Sequence, residues 1–581
     1  MGALNQLLNL FFICVAYYFY QSYVYKRPSY KEVVNIRPRY DFIIVGGGSA
    51  GSVLAARLSE NASRTVLLLE AGDSDLGQPE LYTPTRVSEL FLSRFDWAYY
   101  TEPQKHSSLG LEGRRFINYM QWSRGNRKDY DMWAQHGSKG WSYTDVLPYF
   151  IKSEDFITKG KINAEQRGTT GPIKVTEIKG FELSQDFIDA ATILGYPERD
   201  YNDGEQEGVA RTQVNIFRGE RWSASRAYLW PAAQRDNLDI VTGATVHKVL
   251  IENGRAVGVA YSQRGQRSTK LHQAKSIREV VVSAGAFGSP QLLMLSGIGP
   301  RQHLEALKIP TVADLPVGNN LQDHILTVVF VKTNSSRGAP SPSSYHQLEY
   351  QVFGTGLLSS PGGNVGLAYM KSRPALPQPD IQMILGDTLI GKRFMKLMPG
   401  LSTEMIQRWN IDLDEPGFML LPTFLPCRSR GTVRLRSSNP LDHPAIDPAF
   451  LEDEQDVEGL VRGIRLAEQL INTDALKRHG SHVDKTPLPG CETIQFDTDS
   501  YWRCYVRHLG VTSHHAAGTC KMGADDDVTA VVDSRLRVKG LSGLRVVDAS
   551  IMPLLISANT NAPTIMIAEK AADIILHDNT H

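Results

Sequence analysis

A chain of 581 residues is longer than one hydrophobic core usually serves, so it holds two or more domains. Its 62 Lys and Arg balance 62 Asp and Glu, which excludes the net positive field that nucleic acid or an anionic surface would need. With 42% apolar residues the composition is that of a folded globular protein and excludes a disordered chain.

Residues 2–25 carry no charged side chain, and their centre reads LLNLFFICVAYYFY. The length approaches the roughly 20 apolar residues that span a bilayer. A tyrosine cluster followed by Lys26 and Arg27 resembles an interfacial belt and a stop flank. The expectation is one N-terminal membrane anchor, with the body of the chain in the cytosol. A cleaved signal peptide, with secretion, and a buried helix are the alternatives. Neither a basic leading region nor a small-residue cleavage site is clear.

The apolar run FIIV at residues 42–45 predicts a buried strand. It runs into Gly46, Gly47, Gly48, Ser49, Ala50 and Gly51, a G-x-G-x-x-G loop, and SVLAARL continues at helical spacing. Gly46 permits the tight turn, Gly48 lets backbone approach a pyrophosphate, and Gly51 lets the helix pack close to the strand. The helix N-terminus offers unpaired N–H groups and partial positive charge to phosphate. A second strand, TVLLLE, ends in Glu70, placed to accept hydrogen bonds from a ribose hydroxyl. A glycine-rich turn without ligand is the bland reading; the strand before, the helix after and the acid favour a dinucleotide. The fingerprint alone leaves NAD and FAD open.

Further along, NSSRGAPSPSS at residues 334–344 suits a mobile loop or lid. Cys14, Cys427, Cys491, Cys504 and Cys520 include no C-x-x-C pair, so no metal site is expected. Cys491 and Cys504 form a disulfide if their region meets an oxidising compartment; spacing alone leaves this open. SHHAAGTCKMG at residues 513–523 admits three readings: a metal site, a nucleophile with its base, or a general base held over a cofactor.

Four segments in order, GAFGSPQLLMLSGIGP (285–300), LPVGNNLQDH (315–324), HAAGTCKMG (515–523) and LRVVDASIMPLLISANTNAPTIMIAEKAAD (544–573), resemble the glucose–methanol–choline (GMC) oxidoreductases. The resemblance runs from about Tyr40 to the C-terminus. YWRCYVRH followed by HHAAGTCKMG looks most like the animal branch of choline- and glucose-dehydrogenase-like members. It implies an α/β fold: a discontinuous, Rossmann-like FAD-binding domain with an inserted substrate domain built on a mainly antiparallel sheet. The implied division is an N-terminal segment and linker (1–39), the main FAD-binding part (40–335), the substrate domain (336–514) and a C-terminal catalytic and FAD-binding segment (515–581). REVVVSAGA (278–286) and LRVVDAS (544–550) read as strands of the first domain, GFMLLPTFLP (417–426) and GTVRLRS (431–437) as strands of the second.

The resemblance also implies the chemistry. An alcohol is oxidised by hydride transfer to flavin while a base takes the hydroxyl proton, and oxygen or a quinone accepts the electrons. Histidine suits the base, since its ordinary pKa of roughly 6.5 lies near working pH. His515 takes that role by resemblance, with His514 packing behind it or, less favoured, replacing it. Asn561 corresponds to the second catalytic position. Asn118, Tyr119, Met120 and Gln121 match the segment along the flavin, Val246 a backbone contact to adenine, and Asp548 and Ala549 the turn near the pyrophosphate and ribityl chain. Cys520 and Lys521 are read as structural, because alcohol oxidation needs no covalent thiol intermediate. The same positions have bland readings: a turn residue for Asn118, strand packing for Val246, a helix cap for Asp548.

Two departures stand out. Ala516 occupies a position where the family usually has proline. A basic, glycine- and serine-rich stretch of roughly a dozen residues is missing between Arg115 and Phe116, and such glycines bring backbone close to the cofactor. The alternative function is therefore a catalytically silent or truncated member with impaired FAD binding. Choline, a sugar and an aliphatic alcohol are equally open as substrates.

Overall fold

A computed structural model describes residues 8, 11–12, 14–19, 36–109, 118–178, 182–264, 271–334, 343–361, 363–386, 403–409 and 416–580. The junction between Arg115 and Phe116, most of the loop at 334–344 and most of residues 2–25 lie outside the described residues. Among the described residues no helix is long and apolar enough to cross a membrane.

The first strand, Arg39–Val45, lies between Val66–Leu69 and His272–Val282, parallel to both. Leu238–Val241 continues the parallel set on one side, and Leu544–Val546 joins it on the other. Residues 42–45 and 66–69 are buried at nearly every position, as the unbroken apolar runs require of strands covered on both faces. Two longer strands, Ala244–Glu252 and Arg255–Gln263, extend this seven-stranded sheet antiparallel. The helix Ser49–Leu58 follows the glycine loop, and the C-terminal helix Asn561–Asp578 packs along it. Arg57 clamps the two helices through both oxygens of the buried Glu569, at 2.9 and 2.7 Å, and Tyr228 donates to the same carboxylate.

The second sheet is antiparallel throughout and has eight strands. Gly417–Phe424 and Ile381–Gly386 form its centre, with Asn364–Met370 and Gly208–Arg211 on one side and Val329–Lys332 and His482–Val483 on the other. Ile325–Leu326 bridges Gly417–Phe424 to Val511–Thr512. The implied boundary at 335 does not separate the two sheets, because 208–211, 325–326 and 329–332 already belong to the second sheet. The chain crosses between the sheets repeatedly, and a cut by sequence number separates strands that pair. GTVRLRS holds a strand, Thr432–Arg434, but it pairs with Ala445–Asp447 in a separate ribbon. Cys491 and Cys504 are bonded, with Cα atoms 5.9 Å apart, tying a loop to the helix Asp499–Leu509.

The glycines of the loop divide by what surrounds them. A Cβ on Gly51 would lie 1.8 Å from the carbonyl oxygen of Gly46, so helix and loop meet only because that atom is absent. A Cβ on Gly48 would meet nothing within 4 Å. Gly51→Ala is expected to destabilise the cofactor-free protein by about 1–3 kcal/mol, the scale of overpacking. Gly48→Ala is expected to leave its thermal melt unchanged. Equal losses in the two melts would contradict this division.

Candidate active site

The glycine loop opens one end of the site. Gly46 takes φ +100°, a conformation suited to glycine, and its N–H bonds the carbonyl of Leu69. Glu70, just past the second strand, accepts from the N–H groups of Gly47 at 2.5 Å and Gly72 at 2.6 Å. No side chain caps the helix that begins at Ser49, and a cleft of about 510 Å³ adjoins the loop before it. Gly47, Gly48 and Glu70 line that cleft. The open space at Gly48, which a Cβ would fill, fits backbone contact with a dinucleotide phosphate.

The other end is a cavity of about 300 Å³ between the two sheets, lined by His515, His514, Asn559, Asn561, Gln121 and Ser49 among others. His515 follows the short strand Val511–Thr512. Its N–H donates to Asp323, whose other oxygen accepts from Thr512. His514, at φ +64°, turns the chain so that its ring lies against Tyr119 and Phe91, while the ring of His515 meets His324.

The protons on this histidine pair follow from the acceptor at its far end. His324 Nε2 lies 3.1 Å from the carbonyl of Leu425, which can only accept, so that nitrogen carries the proton. Neutral His324 then presents a bare Nδ1, 2.9 Å from Nδ1 of His515, which must donate. His515 is left with its lone pair on Nε2, where Asn559 Nδ2 donates to it at 2.9 Å. Burial pushes His324 down to about 3. Burial, then His324 and His514, hold His515 well below its usual value near 6.5. Both rings are therefore neutral at pH 7, and His515 is a free base.

Asn559 and Asn561 both line the cavity, and the amide that meets His515 is that of Asn559. Asn561 opens the C-terminal helix, and its carbonyl oxygen turns back to accept from Ser49 in the glycine loop at 2.7 Å. Asn559 lies two residues earlier, in non-helical chain that crosses the cavity. It also donates to Gln121 at 2.8 Å and accepts from Gln382 at 3.0 Å, which orients its amide. Gln121 Nε2 is buried without a hydrogen-bond partner among the described residues, an idle donor at the cavity wall. Asn118 and Tyr119 also line the cavity, but Met120 is buried against Val87, Val214 and Ile216.

The remaining expected cofactor residues sit elsewhere. Val246 is half-buried in Ala244–Glu252 and lines neither cavity. Asp548 is buried, with its carboxylate engaged by Gly285, Ser289 and Ser550. That arrangement caps the short helix beginning at Ala549. Ala50 is buried in the first turn of the loop helix. His324 was visible in LPVGNNLQDH, but its partner is 191 residues away and no local pattern pairs them.

Family models described as GMC oxidoreductase match residues 40–326 and 427–568. The chain belongs to the GMC oxidoreductase family. It is 38% identical over 557 residues to "Glucose dehydrogenase [FAD, quinone]" of Drosophila pseudoobscura pseudoobscura, covering 92% of this chain and 86% of that protein. It is likewise 38% identical to "Choline dehydrogenase, mitochondrial" of Homo sapiens, covering 93% of this chain and 90% of that one. Among solved structures, pyridoxine 4-oxidase from Mesorbium loti superposes with a TM-score of 0.78 at 30% identity, covering 93% of this chain and all of the other. A formate oxidase structure, at 24% identity and a TM-score of 0.82 over 94% of this chain and all of the other, shares the fold.

The buried pair makes a stability prediction. Unfolded histidines bind protons near pH 6.5, whereas folded His324 does so only near 3. Stability is therefore complete above about pH 6.5 and falls as pH drops toward 3, by about 1.4 kcal/mol per unit for this one group. In urea titrations between pH 6 and pH 4.5, His324→Asn should remove about that much of the slope. An unchanged slope would mean that His324 is protonated in the native protein.

Proposed function

We propose that this protein oxidises the CH–OH group of a small alcohol, with His515 as the base. The observation that carries the reading is the unprotonated Nε2 of a buried, neutral His515 in the cavity that Ser49 of the glycine loop also lines. The cofactor is FAD, held by Gly47, Gly48, the uncapped helix start and Glu70. When bound, it supplies the two-electron acceptor that takes a hydride from the carbinol carbon. The substrate hydroxyl displaces the Asn559–His515 hydrogen bond: it donates to His515 Nε2 and accepts the Asn559 Nδ2 hydrogen thus released, so one side chain takes the proton and the other fixes the oxygen. His324 accepts from Nδ1 of His515 and keeps the base nitrogen facing the substrate. Asn561 acts on the other side, holding Ser49 and with it the start of the loop helix.

Supporting relatives are named for glucose and for choline, and their names differ in acceptor: one prints quinone, and another reads "Oxygen-dependent choline dehydrogenase". Oxygen or a quinone therefore remains the re-oxidant on this reading. The uncharged stretch at 2–25 is proposed as a membrane tether on the strength of its sequence.

His515→Ala should lower kcat on an accepted alcohol by about 10² to 10⁴-fold, the usual contribution of a positioned base. Flavin content should stay near normal, because the ring faces substrate. Asn559→Ala should lose less, and His514→Ala least of all. A dead His514 variant beside a healthy His515 variant would overturn the assignment. A purified protein without flavin absorbance would instead favour the silent member.

A further inference from the structure

Deepening the alcohol-oxidation reading, on which it rests, we infer that the substrate is an uncharged alcohol whose body beyond the carbinol carbon is hydrocarbon. The cavity has two unlike sides. The side contributed by the glycine-loop half and the C-terminal helix offers amides and hydroxyls: Ser49, Gln121, Thr560, Asn561 and Thr564. On that reading this side would meet the cofactor. The side contributed by the antiparallel sheet carries Leu326, Val328, Ile384, Met419 and Leu421.

Strand periodicity explains this second side. Met419 and Leu421 are two apart on Gly417–Phe424 and share a face. Ile384 stands directly opposite Leu421 across the sheet. The three form one contiguous patch, which Leu326 and Val328 extend. Asn364 and Thr512 are the polar side chains that the sheet adds among the described residues, and the hydroxyl of Thr512 already donates to Asp323. A hexose on this wall would bury hydroxyls against hydrocarbon without partners, which a site tolerates poorly.

Charge narrows the class further. Among the described residues no Asp, Glu, Lys or Arg lines the cavity. A quaternary ammonium group needs a carboxylate or an aromatic cage. Among the described residues Tyr119 is the one phenolic ring in the lining; the ring against it is His514, and His515 is neutral. An anionic alcohol would find no fixed cation among the described lining residues. The names of the relatives, glucose and choline dehydrogenases, therefore do not carry over to this pocket.

The test uses the flavin-loaded full chain with an artificial electron acceptor and compares 1-hexanol, glucose and choline. kcat/KM for 1-hexanol should exceed both others by about 10²-fold or more. Leu421→Glu should cost 1-hexanol at least about tenfold and narrow its lead over choline. Glucose or choline turned over faster than 1-hexanol would overturn the inference while leaving alcohol oxidation standing. If none of the three reduces the flavin, alcohol oxidation fails. The pocket is then read from the perturbation of the flavin spectrum on titration: tighter binding of 1-hexanol supports the hydrocarbon wall, and tighter binding of glucose or choline overturns it.

Discussion

The site depends on one uncharged hydrogen-bond chain, from the carbonyl of Leu425 through His324 and His515 to Asn559. Each link has a direction, because a carbonyl cannot donate and an amide nitrogen cannot accept. Those two fixed ends leave one tautomer for each ring between them. Burial enforces the same outcome independently, since a charged imidazolium in either position would be desolvated beside the other ring. Geometry and electrostatics thus agree that Nε2 of His515 is unprotonated, with its lone pair held by Asn559.

The four groups of the chain come from segments far apart, and the fold has to bring them into register. Leu425 and His324 come from the antiparallel sheet, through Gly417–Phe424 and the turn before Ile325–Leu326. His515 follows the strand that pairs with Ile325–Leu326, so two of the groups share one local piece of sheet. Asn559 belongs to the other half, where it precedes the helix that Arg57 and Glu569 lock to the glycine-loop helix. Breaking such a buried pair by removing one partner costs about 3–5 kcal/mol, far more than an exposed ion pair contributes. The clamp therefore does more than stabilise: it sets where Asn559 and Ser49 stand relative to His515.

Local features were legible in the sequence, and the contacts between distant segments were not. The strand–glycine loop–helix unit, the parallel strands at 280–282 and 544–546 and the acid at Glu70 all announce themselves within a few residues. The antiparallel character of the second domain followed from family likeness, but its membership did not. Strands of two to four residues such as Ile325–Leu326 and Gly208–Arg211 have too little periodicity to declare which sheet they join. NTNAPT offers two asparagines, and the choice between them rests on where the helix begins. Asn561 is the first helical residue and points back to the loop, whereas Asn559 precedes the helix and reaches His515. The role of His324 required the register of a sheet that no local pattern reveals.

The most direct test of the neutral-base claim is the rate of flavin reduction in a single turnover. Flavin-loaded enzyme is mixed rapidly with excess alcohol in the absence of oxygen, and bleaching of the visible flavin band is followed from pH 5 to pH 8. A base held well below its ordinary value of 6.5 gives a rate constant that is flat from pH 6.5 upward and falls only at lower pH. A rate constant that still climbs about tenfold per unit through pH 7 would mean that His515 rests protonated, and would contradict the account.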